Sequence, residues 1–452
     1  MGEQPVIVVG AGIAGLSAAF RLKQKGHAVT VLEQCGPELV GGRMATIRCD
    51  GFHVDLGATM LFGSYREIIG LIRDAGLWGK VCPASDLYGI VRDGVLYRMQ
   101  RSASRLRLLR SPFIRTLPVL DLVKIGVDLA RVRSALGWAD MSRVAPRDFE
   151  SVTQYAARRR LRQDTLEYFL SPLVEAATLG EAELQSMVSA LFFINMLITG
   201  DSGAFTSSTG VGFLPRGLAE QVTVHYNATV TSVEERGNEV VVSWSGPNQA
   251  ERIDRAAACV IAVPPPQLLQ IYQQLDGEQR EFLQRFRYSR SVHVAFGLDR
   301  STTEHAPLIM VPQVEDPDLL AYVLEHALTP DRVPAGTGLV MAHLRGSSSE
   351  RCWDLDDDKV LDTVLAANHR LGLVPELDQH VCMTRVLRRS PCLVIRQPGE
   401  FRAMARYAAS LRPDSRVQFA GEDRAQSTTN ASAASGAAIA RTIGAVIDGS
   451  LR

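Results

Sequence analysis

The chain opens on a short apolar run, Val6 to Val9, closed by Gly10. A run of this length followed by glycine predicts a buried strand. From Ile13 to about Lys25 apolar residues recur at helical spacing, and Gly26 ends the pattern. Ala28 to Leu32 is a second apolar run, closing on Glu33. Strand, helix and strand in this order predict an α/β domain wound around a parallel sheet. Further along, Asp86 to Met99 alternates about Asp93-Gly94, which predicts a hairpin. Ser151 is placed to cap a helix, and Leu166, Phe169, Leu170, Leu173 and Val174 recur on one helical face. Met187 to Gly200 is the most apolar segment, interrupted by Ser189 and Asn195. It is expected as a buried helix lining a substrate cavity. Ala228 to Val233 and Glu239 to Trp244 predict a hairpin turning at Arg236-Gly237-Asn238. Cys259 to Pro266 reads as a buried strand stopped by three prolines. Val417 to Ile443 reads as a strand, a turn at Gly421-Glu422, a polar loop and a small-residue helix from about Asn430.

The first turn carries chemistry. Gly10, Gly12 and Gly15 stand in G-x-G-x-x-G spacing around Ala14, with a strand before and a helix after. Gly10 permits the tight turn, Gly12 lets the backbone approach a pyrophosphate, and Gly15 lets helix and strand pack closely. The helix start offers N–H groups and a partial positive charge to phosphates. Glu33 can accept hydrogen bonds from ribose hydroxyls. A bound dinucleotide follows. Gly41-Gly42-Arg43 then allows close backbone approach and sets a guanidinium near phosphate oxygens.

The two ends together, with the segment VDLGATM, resemble the flavin amine oxidase superfamily, which also holds protoporphyrinogen oxidases and phytoene-type desaturases. The resemblance implies FAD. It implies that Gly421 and Glu422 meet the ribityl–phosphate region, and that Thr429, Asn430 and Ala431 meet the pyrimidine edge of the flavin. A simple N-cap is the plainer role for Asn430. Gly57, Ala58 and Thr59 should lie along the flavin, and the Val230 backbone should meet the adenine. Residues so far apart touching one FAD require a discontinuous cofactor domain. The expected fold is α/β: a Rossmann-type FAD-binding domain of residues 1–79, 209–286 and 402–452, and a mixed α+β, helix-rich substrate domain of residues 80–208 and 287–401.

No Ser/His/Asp arrangement, paired carboxylates or reactive cysteine announces itself, as expected where a flavin does the chemistry. Amine oxidases of the superfamily carry a lysine on a strand near flavin N5. The matching stretch is Arg287 to Arg300, and its apolar alternation puts Ser291 at that position, or Arg290 if the alignment slips by one. His293 stands on the same strand and reads better as a structural histidine; Tyr288 shares the ambiguity. The catalytic residues are otherwise unassigned. The missing lysine argues against a standard amine oxidase. Gly421-Glu422, where Gly-Asn is usual, and the polar Gln426 to Asn430 argue against a true protoporphyrinogen oxidase. The expected enzyme removes a hydride from a C–H next to nitrogen, or desaturates C–C, in a hydrophobic specialised metabolite, with O2 reoxidising the flavin. The alternatives are a protoporphyrinogen or coproporphyrinogen oxidase, an amine or amino-acid oxidase, and a non-catalytic flavoprotein scaffold. Cys392 is expected in the core, and Arg396 faces either the flavin, an anionic substrate or an ion pair.

Composition changes this picture little. The 452 residues suggest two domains. With 46% hydrophobic and 22% charged residues the chain reads as soluble and globular, and zero net charge argues against nucleic acid. No apolar stretch reaches the ~18 residues of a spanning helix. The first strand lies so early that no secretory signal is expected. Seven scattered cysteines without a C-x-x-C pair read as reduced cytoplasmic thiols. No metal is expected. Arg98, Arg101, Arg105, Arg107, Arg110 and Arg115 interleave with leucines and no acid. They read as a solvated face. Peripheral membrane contact, docking of a carrier protein, and a homodimer are left open.

Overall fold

Four strands assemble around Val6–Val9, all with their N-to-C directions parallel. It pairs with Val29–Leu32 on one side and Ala258–Ile261 on the other, and Thr223–His225 and Val417–Phe419 complete the five-stranded sheet. The computed structural model describes residues 4–100, 110–199, 203–248 and 250–450. All four side chains of the first strand are buried, as a parallel sheet covered on both faces requires. The helix Ile13–Gln24 packs on the last helix, Thr429–Ile447, closely enough that a Cβ on Gly436 would lie 2.1 Å from the Ala14 carbonyl oxygen. The Ser17 hydroxyl donates to Ala433 O at 2.8 Å across the same interface. The predicted hairpin forms from Thr229–Arg236 and Glu239–Ser245, turning on Gly237-Asn238, and Glu251–Ala256 adds a third antiparallel strand. The prolines after Ile261 do more than stop a strand. Pro265 opens the helix Pro265–Ile271, where a missing N–H costs nothing.

A second, seven-stranded sheet runs in the order Val381–Arg389, Ser291–Leu298, Gly338–Leu344, Leu319–Leu324, Leu308–Met310, Leu87–Arg92 and Val95–Gln100. Its last two strands are the predicted hairpin, turning at Asp93 and Gly94 with φ of 53° and 71°. Strand Ser291–Leu298 is buried along its whole length. Val292, Val294 and Phe296 pack with Val360 and Val364 of the helix Asp357–Leu371. Ala295, on the other face, packs with Phe52 and Met383. Ser151 caps Val152–Arg159 through a capping box with Gln154. Leu170 and Val174 are buried as expected, but the helix widens to π geometry over Leu166–Leu170. Met187–Thr199 is a largely buried helix. Among the described residues no helix is long and apolar enough to cross a membrane, and no cluster of His, Cys, Asp and Glu could hold a metal. Of the arginine-rich stretch, Arg98 pairs with Glu304, while Arg101, Arg105 and Arg107 lie outside the described residues.

One buried charge cluster ties these parts together. Arg332 pairs with Asp55 and, at 3.0 Å, with Glu325, all three side chains fully buried. Its Nη1 also donates to Ser207 O at 2.9 Å, and Asp55 accepts from Val211 N–H at 3.2 Å. Burial pushes Glu325 up to about 7 against the pull of Arg332. Arg345 plays a similar role. It pairs with Glu175 and donates to Leu319 O at 3.0 Å, joining the helix Ser171–Thr178 to the second sheet. Burial raises the Glu175 pKa to about 7 and lowers that of Arg345, so desolvation outweighs their attraction on both sides.

Replacing Arg332 by Met leaves two buried carboxyls without their partner. Urea unfolding should show a loss of about 3–5 kcal/mol, and Asp55→Asn added to it should restore part of that loss. Because the folded Glu175 pKa lies above its unfolded value, its contribution is present at low pH and is lost as pH rises through about 7. Between pH 5 and 7.5 the stability difference between Glu175→Gln and the parent should therefore move in favour of the variant.

Candidate functional site

The turn after the first strand has the tight turn at Gly10 and the close helix packing at Gly15 that the spacing predicts. Gly10 has φ of +98°, and a Cβ there would lie 2.9 Å from Ala262 O. A Cβ on Gly15 would lie 2.0 Å from Gly10 O, so only glycine lets the helix approach the strand. Gly12, the helix N-cap, has no described atom within 4 Å of where its Cβ would be. The turn is therefore tight on its protein side and open beside Gly12. Ala14 is buried against the last helix. Glu33 reaches back across the turn. Its Oε2 accepts from Ala11 N–H at 2.6 Å and its Oε1 from Cys35 N–H at 2.9 Å. Ala228 N–H donates to Glu33 O at 2.8 Å, which brings the start of the strand holding Val230 to the same edge. Val230 pairs with Trp244, and the ladder bulges immediately after it.

Gly41 and Gly42 close the other side. Gly41 N–H donates to Ala11 O at 3.0 Å, and Gly41 bridges Gly12. Gly57 and Ala58 lie over the backbone of Arg43: Ala58 N–H donates to Arg43 O at 3.2 Å, and a Cβ on Gly57 would be 2.4 Å from the same oxygen. Thr59 O accepts from the Thr206 hydroxyl at 3.2 Å. The Arg43 guanidinium, expected beside phosphate oxygens, pairs with Glu422 at 2.7 Å and donates to Cys392 O at 2.9 Å. Glu422 also accepts from the Tyr288 hydroxyl at 2.9 Å and the Ser427 hydroxyl at 2.6 Å. Burial, then the Glu422 charge, pushes the Tyr288 phenol well above its ordinary range. Neither Tyr288 nor Ser427 stands out in the sequence as a partner of Glu422, because nothing local links them. Gly421, like Gly12, has no described atom within 4 Å of where its Cβ would be, and its N–H donates to the Ser435 hydroxyl at 3.0 Å.

The last helix differs from expectation at its start. It begins at Thr429, and its cap is Thr428, whose hydroxyl accepts from Ala431 N–H at 3.1 Å. Asn430 lies inside the first turn and caps a different helix. Its side-chain oxygen accepts from Glu67 and Ile68 N–H at 3.1 and 3.2 Å, at the start of Arg66–Asp74. Its carboxamide oxygen is thus committed to that helix, leaving its NH2 group and the backbone N–H groups of this helix start as the donors for an anionic ring edge.

On the strand Ser291–Leu298 the candidates separate by face. Arg290 turns outward, paired with Glu350 at 3.2 Å and stacked over Trp353. It does not join the cluster, and Ser291 and His293 do. The Ser291 hydroxyl lies 3.2 Å from His293 Nδ1 and beside the buried Cys392. His293 stacks on His343 at 4.9 Å. Burial lowers both pKa values, to about 4 for His343, so both rings are neutral near pH 7. Burial also raises the Cys392 thiol. Arg396 is fully buried, donating to Glu422 O and, at 3.1 Å, to Ala425 O. It therefore positions the backbone that carries Glu422.

These surroundings fit a dinucleotide: a tight glycine turn, open space beside Gly12 and Gly421, and a carboxylate at the end of the second strand. The sequence pattern of the flavin containing amine oxidoreductases matches residues 13–443, and the chain belongs to that family, whose members are FAD-dependent oxidoreductases. FAD is its cofactor. It is 51% identical over 74 residues to an L-amino-acid oxidase of Pseudechis australis, covering 16% of this chain and 14% of that protein. It is 28% identical over 184 residues to protoporphyrinogen oxidase 2 of Arabidopsis thaliana, covering 40% and 34%. The chain thus spans well under two thirds of these curated relatives. The structure of cyclohexylamine oxidase from Brevibacterium oxydans superposes with a TM-score of 0.77 at 17% identity, over all of both chains, and the two share a fold.

The two kinds of glycine predict opposite outcomes. Gly12→Val should leave the unfolding midpoint of the cofactor-free protein nearly unchanged but weaken FAD retention at least about tenfold, read as flavin absorbance per protein. Gly15→Val should not fold, because its side chain must displace backbone.

Proposed function

We propose that this chain removes a hydride from a C–H bond next to nitrogen, or desaturates a C–C bond, in a hydrophobic substrate, with O2 as the final electron acceptor. Bound FAD supplies the hydride acceptor. The chain's own contribution is to orient the substrate and exclude water. The observation that carries this reading is Ser291. By resemblance it is matched to the position where amine oxidases of the superfamily carry lysine, and it is buried beside the neutral His293 and Cys392. Among the described residues no ammonium group is seen beside Ser291 to hold a proton or a water. A substrate with its own nitrogen lone pair, or an activated C–H bond, needs none. Glu33 is assigned to the adenosine ribose, Gly10 to Gly15 to the pyrophosphate, and Arg43 and Glu422 to the stretch between phosphate and ribityl chain. Gly57 to Thr59 and the Thr429–Ala431 turn are assigned to the flavin. A discontinuous cofactor domain and a separate substrate domain, with the boundaries given above, go with this reading.

A second reading, oxidation of a porphyrinogen, is favoured by one observation. The hairpin Leu87–Gln100 followed by the Ser151-capped helix keeps the order that resembles protoporphyrinogen oxidases.

Two measurements test the proposal. Anaerobic mixing should bleach the oxidised flavin band with porphyrinogens or with polycyclic and polyketide-like compounds, and not with simple amines or amino acids. Rapid bleaching by a simple amine would overturn the reading of Ser291. Ser291→Lys should change the rate of flavin reoxidation by O2 at least about tenfold, equivalent to roughly 1.4 kcal/mol at the reacting centre. An unchanged rate would remove Ser291 from the flavin's neighbourhood.

A further inference from the structure

A cavity of about 540 Å³ opens between the end of the helix Gly277–Gln284 and the start of the helix Glu400–Ser410. Phe286, Arg285, Arg287, Arg402 and Arg406 line it with a single carboxyl, Glu400. Arg285 pairs with Glu281 one turn back on its own helix, and Arg406 lies 3.7 Å from Glu278 on the neighbouring helix. Arg287 and Arg402 form no salt bridge among the described residues. Glu400 turns inward toward Arg396, and compensates Arg287 only through the weaker, longer-range attraction between their charges. Its Oε2 is buried 3.7 Å from Arg396 Nη1 with no hydrogen-bond partner, and burial pushes its pKa up to about 7. Arg396 adds a fifth cation behind the wall, fully buried and 4.6 Å from the Phe286 ring, with no hydrogen-bond partner at Nε or Nη1. Asp148 already accepts from Phe401 N–H at 2.7 Å and lies 3.4 Å from Arg402 N. The helix start is therefore satisfied from within, and the charge of the cavity comes from guanidiniums. In a chain of zero net charge this is a local excess of cations around a concave surface.

We propose that this cavity binds a phosphorylated small molecule, its phosphate held by Arg287 and Arg402. Guanidinium forks match phosphate oxygens two at a time, and several cations together suit a dianion better than a carboxylate. The volume is that of a small-molecule pocket, not of a flat protein contact. None of the residues lining it is assigned to FAD, so this ligand would be a second one.

The test uses FAD-loaded protein, so that the dinucleotide turn is filled. Calorimetric titration at fixed ionic strength compares inorganic pyrophosphate, AMP and adenosine. Pyrophosphate and AMP should bind and adenosine should not. Arg287→Ala with Arg402→Ala should weaken that binding at least about tenfold, as expected for loss of charge-assisted hydrogen bonds. Flavin content should stay unchanged, which shows the variant is folded. Arg131→Ala, a surface arginine elsewhere, should leave binding intact. Absence of heat from both phosphates at millimolar concentration overturns the proposal. So does binding that survives the double substitution, or that Arg131→Ala weakens equally.

Discussion

The pairing of Arg43 with Glu422 is the contact on which the arrangement of the site depends. It joins the Gly41-Gly42 turn near the chain's beginning to the turn before its last helix. Glu422 is nearly inaccessible, so its charge must be compensated from within, and Arg43, Tyr288 and Ser427 all converge on it. Tyr288 lies just before the strand that carries Ser291. One carboxylate thus sets the distance between the nucleotide-side turns and the wall assigned to the reacting atoms. Arg396 holds the same residue from behind through its carbonyl. A carboxylate held on every side has little freedom to adapt, and the geometry around it is fixed before any ligand arrives.

What the sequence reveals and what it hides divide along physical lines. Gly10, Gly12 and Gly15 are legible because their roles follow from backbone geometry within a few residues. The hairpins at Asp93-Gly94 and Gly237-Asn238 are legible for the same reason, since each turn chemistry is local. Asp55, Glu325 and Arg332 show nothing in their surroundings that marks them as partners, because their pairing exists only once the second sheet meets the Thr46–Asp55 hairpin. Asn430 misleads in an instructive way. A polar residue near a helix start looks like that helix's own cap, yet Thr428 takes that role and Asn430 serves the helix at Arg66. The strand order of a discontinuous sheet can be anticipated only by resemblance, whereas Arg290 and Ser291 are separable by nothing but the face each one presents.

The strand Ser291–Leu298 explains why neutral chemistry suits this wall. Both of its faces are covered, one by the helix Asp357–Leu371 and the other by Phe52 and Met383. A charge placed there would lose its hydration, and the histidines present respond by staying unprotonated. A hydroxyl can be buried with one hydrogen bond, as Ser291 is with His293, whereas burying an ammonium group costs far more unless it is paired.

The parallel sheet also governs how such a chain comes to be made. Its edge strand, Val417–Phe419, and the helix that covers Ile13–Gln24 come from the far end of the polypeptide. At synthesis rates of about 5–20 residues per second, the nascent βα unit waits tens of seconds for both. During that interval the apolar side of its first helix lacks its cover, and the dinucleotide turn lacks the residues around Gly421. Cofactor capture therefore waits for the residues around Gly421, and the apolar helix face stays uncovered longer than in a domain contiguous in sequence.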